Sequence, residues 1–203
     1  MKKINHYIIP SFLVIFLFAG CGKNSPPPVV QQPAPPTSAT QEINPAEISS
    51  KPDKNGFLSY KNKTMSFQIK FPEDWSQKII TDNVSIYFLS PESSYADPAN
   101  LNITITPLKD PTALEIFTAV SIKEMEKTFT PFKLLVSKPV QLSTLPAYQV
   151  IYTGAYGGQH FKNLQIWAIK DGKSYLLSFG GSAAAYDKFV KTAQQMIETF
   201  TIL

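Results

Sequence analysis

Few residues in this 203-residue chain have a type and spacing that could do chemistry. Cys21 is the one cysteine, and His6 and His160 are the two histidines. A disulfide needs a second cysteine, and one Cys with so few His cannot supply a zinc site of Cys and His ligands. No Gly-x-Ser-x-Gly elbow is present, and Gly180-Gly181-Ser182 reads instead as the end of a strand and the cap of a helix. Tyr156-Gly157-Gly158-Gln159 lacks both the lysine of a phosphate-binding loop and a helix directly after it. Glu73 and Asp74 are adjacent, so on an extended segment they point apart and make a poor acid and base pair. No calcium-loop spacing of carboxylates occurs. All 19 basic residues are Lys, so the bidentate forks that read guanine or clamp phosphate are missing, and the formal charge of +4 is small for a nucleic-acid binder. These residues identify no metal ligands, no cofactor and no catalytic constellation, and they leave open only a calcium site built from carboxylates alone.

Two features remain. Cys21 closes the run Leu17-Phe18-Ala19-Gly20-Cys21, after Lys2, Lys3 and an apolar stretch from Tyr7 to Phe18. That stretch is too short for a bilayer of roughly 30 Å, which needs about 20 residues, and it has the three parts of a signal peptide. The run resembles the lipobox of bacterial lipoproteins, with Phe18 where Leu is usual. The resemblance implies cleavage before Cys21, acylation of its thiol and effectively permanent membrane attachment through several acyl chains. Losing Lys2 and Lys3 lowers the charge from +4 to +2. The second feature is Gly154-Ala155-Tyr156-Gly157-Gly158-Gln159-His160, which reads as a hairpin loop with permissive backbone, one aromatic ring and one titratable ring. Such a loop suits a flexible turn or a contact surface, with Tyr156, Gly157, Gly158 and His160 as the candidate partner-binding residues.

The elements that position these residues follow from composition and periodicity. Gly22 to Asn55 holds eight of the 17 prolines, and such a segment builds no core. It reads as a disordered tether, spanning roughly 105 Å as ideal polyproline II or roughly 30 to 35 Å as a flexible coil. The expected organisation is a signal peptide over 1–20, an anchored Cys and tether over 21–55, and one domain over 56–203. Within the domain, Met65–Lys70, Val84–Leu89 and Leu101–Thr106 read as strands, the first and last by strict alternation. Asp110-Pro111 reads as N-cap and first-turn proline of a helix over Thr112–Thr128, whose apolar face includes Leu114, Phe117 and Val120 and which Pro131 ends. Ala147–Thr153, Phe161–Lys170 and Lys173–Phe179 read as an antiparallel meander, the last two joined by a type I′ turn at Asp171-Gly172. Tyr186, Phe189, Val190, Ala193, Met196, Ile197 and Phe200 mark one buried helical face.

Tyr60, the run Met65-Ser66-Phe67-Gln68-Ile69-Lys70-Phe71-Pro72-Glu73-Asp74-Trp75, Leu145-Pro146-Ala147-Tyr148, Asp171-Gly172-Lys173-Ser174-Tyr175 and Glu198-Thr199-Phe200-Thr201-Ile202 together resemble the PsbP-like family. The resemblance implies an α+β fold, a PsbP-like α/β/α sandwich with a central antiparallel sheet and helices on both faces. Relatives in oxygenic phototrophs are extrinsic subunits or assembly factors of photosystem II, and bacterial relatives include many lipoproteins. Its motifs are turns and core positions, so they speak to fold more than to activity. Independently, Phe71 and Trp75 are expected to bury at either end of a polar turn.

The expected function is a non-enzymatic, lipid-anchored binding or assembly module in the extracytoplasmic cell envelope, with a membrane or envelope protein as partner and no nucleic acid. Two alternatives stay open: a module for a small apolar ligand or a glycan using Tyr152, Tyr156 or Trp167, and a hydrolase using His160.

Overall fold

The computed structural model describes residues 46–80, 85–91 and 98–203, so Cys21 and most of the proline-rich segment lie outside the described residues. Among the described residues, eleven strands and two helices run in the order β1 (Glu47–Ile48), β2 (Phe57–Asn62), β3 (Phe67–Pro72), β4 (Ser76–Ile80), β5 (Ser85–Leu89), β6 (Asn100–Pro107), α1 (Leu114–Thr128), β7 (Phe132–Leu142), β8 (Leu145–Tyr156), β9 (Gln159–Lys170), β10 (Lys173–Gly181), α2 (Ala183–Glu198) and β11 (Thr201–Ile202). All strand pairs are antiparallel. They form a seven-stranded sheet in the order β4-β5-β6-β10-β9-β8-β7 and a four-stranded sheet in the order β1-β2-β3-β11. No helix of the described residues is long and apolar enough to cross a membrane.

Period-two alternation gives the large sheet two different faces. One face carries Ile86, Phe88, Leu101, Ile103, Leu164, Ile166, Leu177 and Phe179, which join the main core with α2 and the small sheet. Phe88 links the two sheets, with its ring 5.5 Å from Tyr60 and 5.0 Å from Phe71. Helix α2 packs on β9, β10 and β3 along the predicted stripe, and Ser182 Oγ accepts the Ala185 N–H at 3.3 Å as its cap. On the opposite face α1 covers β7 and β8, closing a second core of Met125, Phe129, Val150, Tyr152, Phe161 and Trp167. The α+β sandwich with helices on both faces is therefore observed, with a small second sheet beside α2.

Local chemistry explains where elements depart from expectation. The strand expected at Met65 begins at Phe67, because the Met65 N–H is taken by Asn62 Oδ1 (2.8 Å) and Ser66 turns with φ 55°. Helix α1 begins at Leu114, with Ala113 rather than Asp110 at its N-cap position and no side-chain cap. Its inward face is Leu114, Phe117, Thr118, Ser121, Ile122 and Met125, so two polar residues sit in the buried stripe. Trp167 Nε1–H donates to Thr118 Oγ1 at 2.9 Å, which satisfies both groups. The turn after Phe71 behaves as expected, with Phe71 and Trp75 buried and the Trp75 N–H donated to the Pro72 carbonyl. Strands β2, β4 and β7 carry no clear alternation in sequence, so periodicity alone does not mark them.

The fold also begins earlier than residue 56. Glu47 and Ile48 pair with Lys61 and Tyr60, and the Ser59 N–H donates to Ser49 Oγ at 2.8 Å. Asp53 Oδ1 accepts the N–H groups of Asn55 and Phe57, while Oδ2 takes Lys70 Nζ at 2.8 Å. Residues 47–53, assigned to the tether on composition, thus close one edge of the small sheet. A chain starting at Asn55 should be less stable than one starting at Ala46 by about 1 to 3 kcal/mol, the net worth of a few hydrogen bonds, measured by urea unfolding. Equal midpoints would mean that this edge contributes nothing.

The Lys70 hydrogen bond, followed by those from the Asn55 and Phe57 N–H groups, lowers the Asp53 pKa from 3.8 to about 2. A depressed pKa stabilises the folded state above the unfolded value, and that contribution is lost as pH falls from about 4 toward about 2. Asp53→Asn should therefore flatten the pH dependence of the melting temperature between pH 4 and 2 and leave its slope near pH 7 unchanged.

Candidate functional site

The stretch Gly154–His160 is not a seven-residue loop. Strand β8 runs to Tyr156 and β9 starts at Gln159, leaving only Gly157 (φ 56°) and Gly158 (φ 80°) as a two-residue turn. Both positive φ values are those of a type I′ hairpin, which glycine adopts without strain. Gly154 sits inside the strand, and its lack of a side chain serves packing: a Cβ there would lie 2.8 Å from Phe161 Cζ and 3.1 Å from Phe129 Cβ.

Register separates the predicted contact residues. Tyr156 pairs with Gln159 and Ala155 pairs with His160, so Tyr156 points to the α1 face while His160 points to the α2 face. The structure thus brings Tyr156, Gly157 and Gly158 together at one tip and places His160 on its other side. Tyr156 is 48% exposed, and His160 is also exposed. His160 makes no hydrogen bond to a Ser or Asp among the described residues, so the hydrolase geometry is not assembled there. Tyr152 and Trp167, two of the three aromatics considered for ligand stacking, are each 1% exposed. Their rings belong to the core under α1.

Sequence reasoning missed the surface beside this tip. Strand β7 is the eleven-residue edge of the large sheet, and Leu134 and Leu135 are 37% and 44% exposed on it. Its register with β8 passes from Leu134↔Tyr152 to Val136↔Ile151, so Leu135 is an extra, bulged residue. Pro139 within the run is the one sequence signal, since proline is confined to edge strands.

A band of uncharged polar side chains crosses the α1-facing side of β6, β10 and β9. Asn102, Ser178 and Gln165 lie in one cross-strand row, and Asn100, Gly180 and Asn163 in the next. Gln165 Nε2 donates to Ser178 Oγ at 3.3 Å, Asn163 Nδ2 to the Tyr152 hydroxyl at 3.0 Å, and Ser85 shares a 2.8 Å bond with Thr104. Asn102 Nδ2 is buried with no partner among the described residues. Burial raises the Tyr152 pKa far above the ordinary phenol value, and Asn163 offsets this only in part. The band offers hydrogen bonds and no acid, base or nucleophile near neutral pH. Among the described residues no three His, Cys, Asp or Glu side chains gather as metal donors.

Gly180 is part of this band, because a Cβ there would fall 1.6 Å from Asn163 Oδ1. Gly180→Ala should destabilise by about 1 to 3 kcal/mol, the usual range for overpacking, by pushing the Asn163 amide off Tyr152. Asn163→Ala in the same chain should recover part of that loss, giving a coupling of about 0.5 kcal/mol or more in a double-mutant cycle. Strict additivity would show that the two sites are independent.

Comparison with known proteins bears on the fold. A family model described as DcrB matches residues 61–199, more than half of the chain. Cyanobacterial PsbP (CyanoP) from Synechocystis sp. PCC 6803 superposes with a TM-score of 0.57 at 14% identity, over 73% of this chain and 93% of that one. LpqN of Mycobacterium tuberculosis, described as involved in cell envelope biogenesis, gives 0.53 at 13% identity, over 67% and 82% of the two chains. The Ran-binding protein Mog1p of Saccharomyces cerevisiae gives 0.54 at 8% identity, over 72% and 95%. Comparison with curated proteins by sequence finds no match. The fold is that of PsbP, as the sequence motifs implied, and is shared with Mog1p.

Proposed function

The chain belongs to the DcrB family, and on that premise we propose that it is a non-enzymatic binding or assembly module of the cell envelope, held to a membrane by lipid on Cys21. The observation that carries this reading is the surface around the β7–β8 edge, where Leu134, Leu135 and Tyr156 stay exposed while Asn163, Gln165 and Trp167 on the adjacent sheet face are spent on internal hydrogen bonds. Exposed apolar side chains grouped at one edge favour contact with another macromolecule over chemistry. Two neighbours in fold point the same way, since LpqN is described as acting in cell envelope biogenesis and Mog1p as Ran-binding. The small-ligand alternative is weaker, because Tyr152 and Trp167 are buried in packing.

Anchoring gives this surface its range. Twenty-five positions separate Cys21 from Ala46. As a flexible chain they would hold the domain about 25 to 30 Å from the anchor, close enough for an effective concentration of millimolar order toward a membrane partner. Weak contacts then suffice.

Two measurements test the proposal. Cys21→Ser should move the protein from the membrane pellet to the soluble fraction and abolish labelling by a palmitate analogue; unchanged pelleting and labelling would end the lipoprotein reading. Tyr156→Ala should leave the melting temperature within about 1 °C while weakening partner capture by crosslinking in native membranes, as loss of an interfacial aromatic of about 2 kcal/mol would. His160→Ala, on the opposite face, should weaken capture less. Full capture by the Tyr156 variant would reduce the tip to a turn.

A further inference from the structure

The bulge at Leu135 has a consequence for charge. Lys133 and Lys138 are five positions apart, an odd number that would put them on opposite faces of a regular strand. With Leu135 as an extra residue, Lys133 pairs with Thr153 and Lys138 with Gln149, four positions apart on β8. Both lysines therefore share one face, about 14 Å apart at 3.4 Å per residue, with Val136 between them opposite Ile151. Leu134 points to the other face, opposite Tyr152. Neither lysine is ion-paired among the described residues, and β7 carries no acid.

Lysines, a proline and a bulge are also the devices by which proteins blunt sheet edges against self-pairing. Here they blunt selectively. A second copy of β7 laid antiparallel about Val136 would set Lys133 against Lys138 and Lys138 against Lys133, and like charges directly opposite are destabilising. Pro139, which has no N–H to donate, ends the usable edge at Lys138. A lipid surface fits poorly too. The outward N–H and C=O groups of an edge strand would be unsatisfied in hydrocarbon, and two lysines fall short of the four to eight typical of lipid-binding clusters. A strand of opposite charge meets none of these objections, because what rejects a second copy selects it.

We propose that the outer edge of β7 from Phe132 to Lys138 accepts an extended strand from a partner protein, with acidic residues four positions apart and apolar residues between them. The acids meet Lys133 and Lys138, the apolar residue midway between them meets Val136, and its neighbours meet Leu134 and Ser137, with Leu135 on the bulge beside them. Main-chain hydrogen bonds supply affinity and the two lysines set orientation and register. This rests on the binding-module reading and names the partner's chemistry.

The test uses the full mature chain and a fluorescein-labelled peptide, Gly-Ser-Glu-Val-Val-Val-Glu-Ser-Gly. Controls carry Lys in place of both Glu residues, or a fourth Val that spaces the acids by five. The acidic peptide should bind at least tenfold more tightly than either control by anisotropy at low salt, and should slow amide exchange of residues 132–138. Lys133→Glu with Lys138→Glu should reverse the preference between acidic and basic peptides. If that variant melts early, Lys133→Gln with Lys138→Gln should reduce the preference below about twofold. The proposal is overturned if the preference survives these substitutions, or if exchange slows elsewhere. It is also overturned if residues 132–138 are protected by dimerisation of the chain alone or by phosphatidylglycerol vesicles. Peptide binding as described without any envelope partner captured in native membranes would sink the envelope reading and leave the docking edge standing. A captured partner that the Lys133 and Lys138 variants bind equally well would do the reverse.

Discussion

The register of β8, β9 and β10 is the constraint on which the other layers depend. Leu164, Ile166 and Ala168 face the main core, while the residues between them, Asn163, Gln165 and Trp167, face the α1 side. A slip of one residue in β9 would exchange these sets, driving two amides into the apolar core and three aliphatic side chains toward Ser178, Gly180 and Tyr152. Each amide buried without a partner would cost about 1 to 3 kcal/mol, a large share of the stability of an ordinary domain. Two-residue turns prevent the slip at both ends of β9. Gly157-Gly158 closes one and Asp171-Gly172 the other, and all four residues have positive φ. A hairpin loop of fixed length and type leaves the flanking strands one register.

Because the two faces differ, the helices are not interchangeable. Helix α2 lays an apolar stripe on the aliphatic face, helped by Lys162, whose Nζ reaches Asp187 at 2.8 Å and lies 4.5 Å from the Tyr186 ring centre. Helix α1 meets the face with the amides and indole, and it answers with Thr118 and Ser121 in its inward stripe. The polarity of a helix face thus follows from the polarity of the strand face it covers. This is also why α2 is plain in the sequence and α1 is not. The α2 stripe follows helical period with apolar residues alone, whereas the α1 stripe contains two hydroxyls that read as solvent-facing until Trp167 is known to lie above one of them.

The same logic marks how far the sequence could be read. The β9–β10 hairpin was legible because Asp171-Gly172 admits few turn geometries and lies between two apolar runs. The PsbP-like motifs carried the fold class for the same reason, being turns and core positions. Strand β7 was not legible: Phe132-Lys133-Leu134-Leu135-Val136 breaks alternation at the bulge, and only pairing with β8 shows which residue is extra. Residues 47–53 resembled tether because Pro45 precedes them and Pro52 lies among them, yet Asp53 accepts the N–H groups of Asn55 and Phe57 around a turn and binds a lysine from β3. At the candidate site, sequence located the tip but could not tell that Tyr156 and His160 diverge, since facing depends on a register that neither residue sets.

An edge differs physically from a core in what it asks of a sequence. Core positions are fixed by volume and by the cost of unsatisfied polar groups, so the main core of this chain tolerates few alternatives. An edge strand already has half of its backbone groups paired, and the rest are satisfied by water, so its side chains are under weaker demand from folding. Leu134 and Leu135 contribute little burial where they stand, and Lys133 and Lys138 gain no ion pair among the described residues. Folding alone therefore gives little reason for two leucines to stay exposed between two lysines that a bulge turns to one face. Association with a strand of complementary charge supplies a reason, because it would bury the leucines and neutralise the lysines in one step.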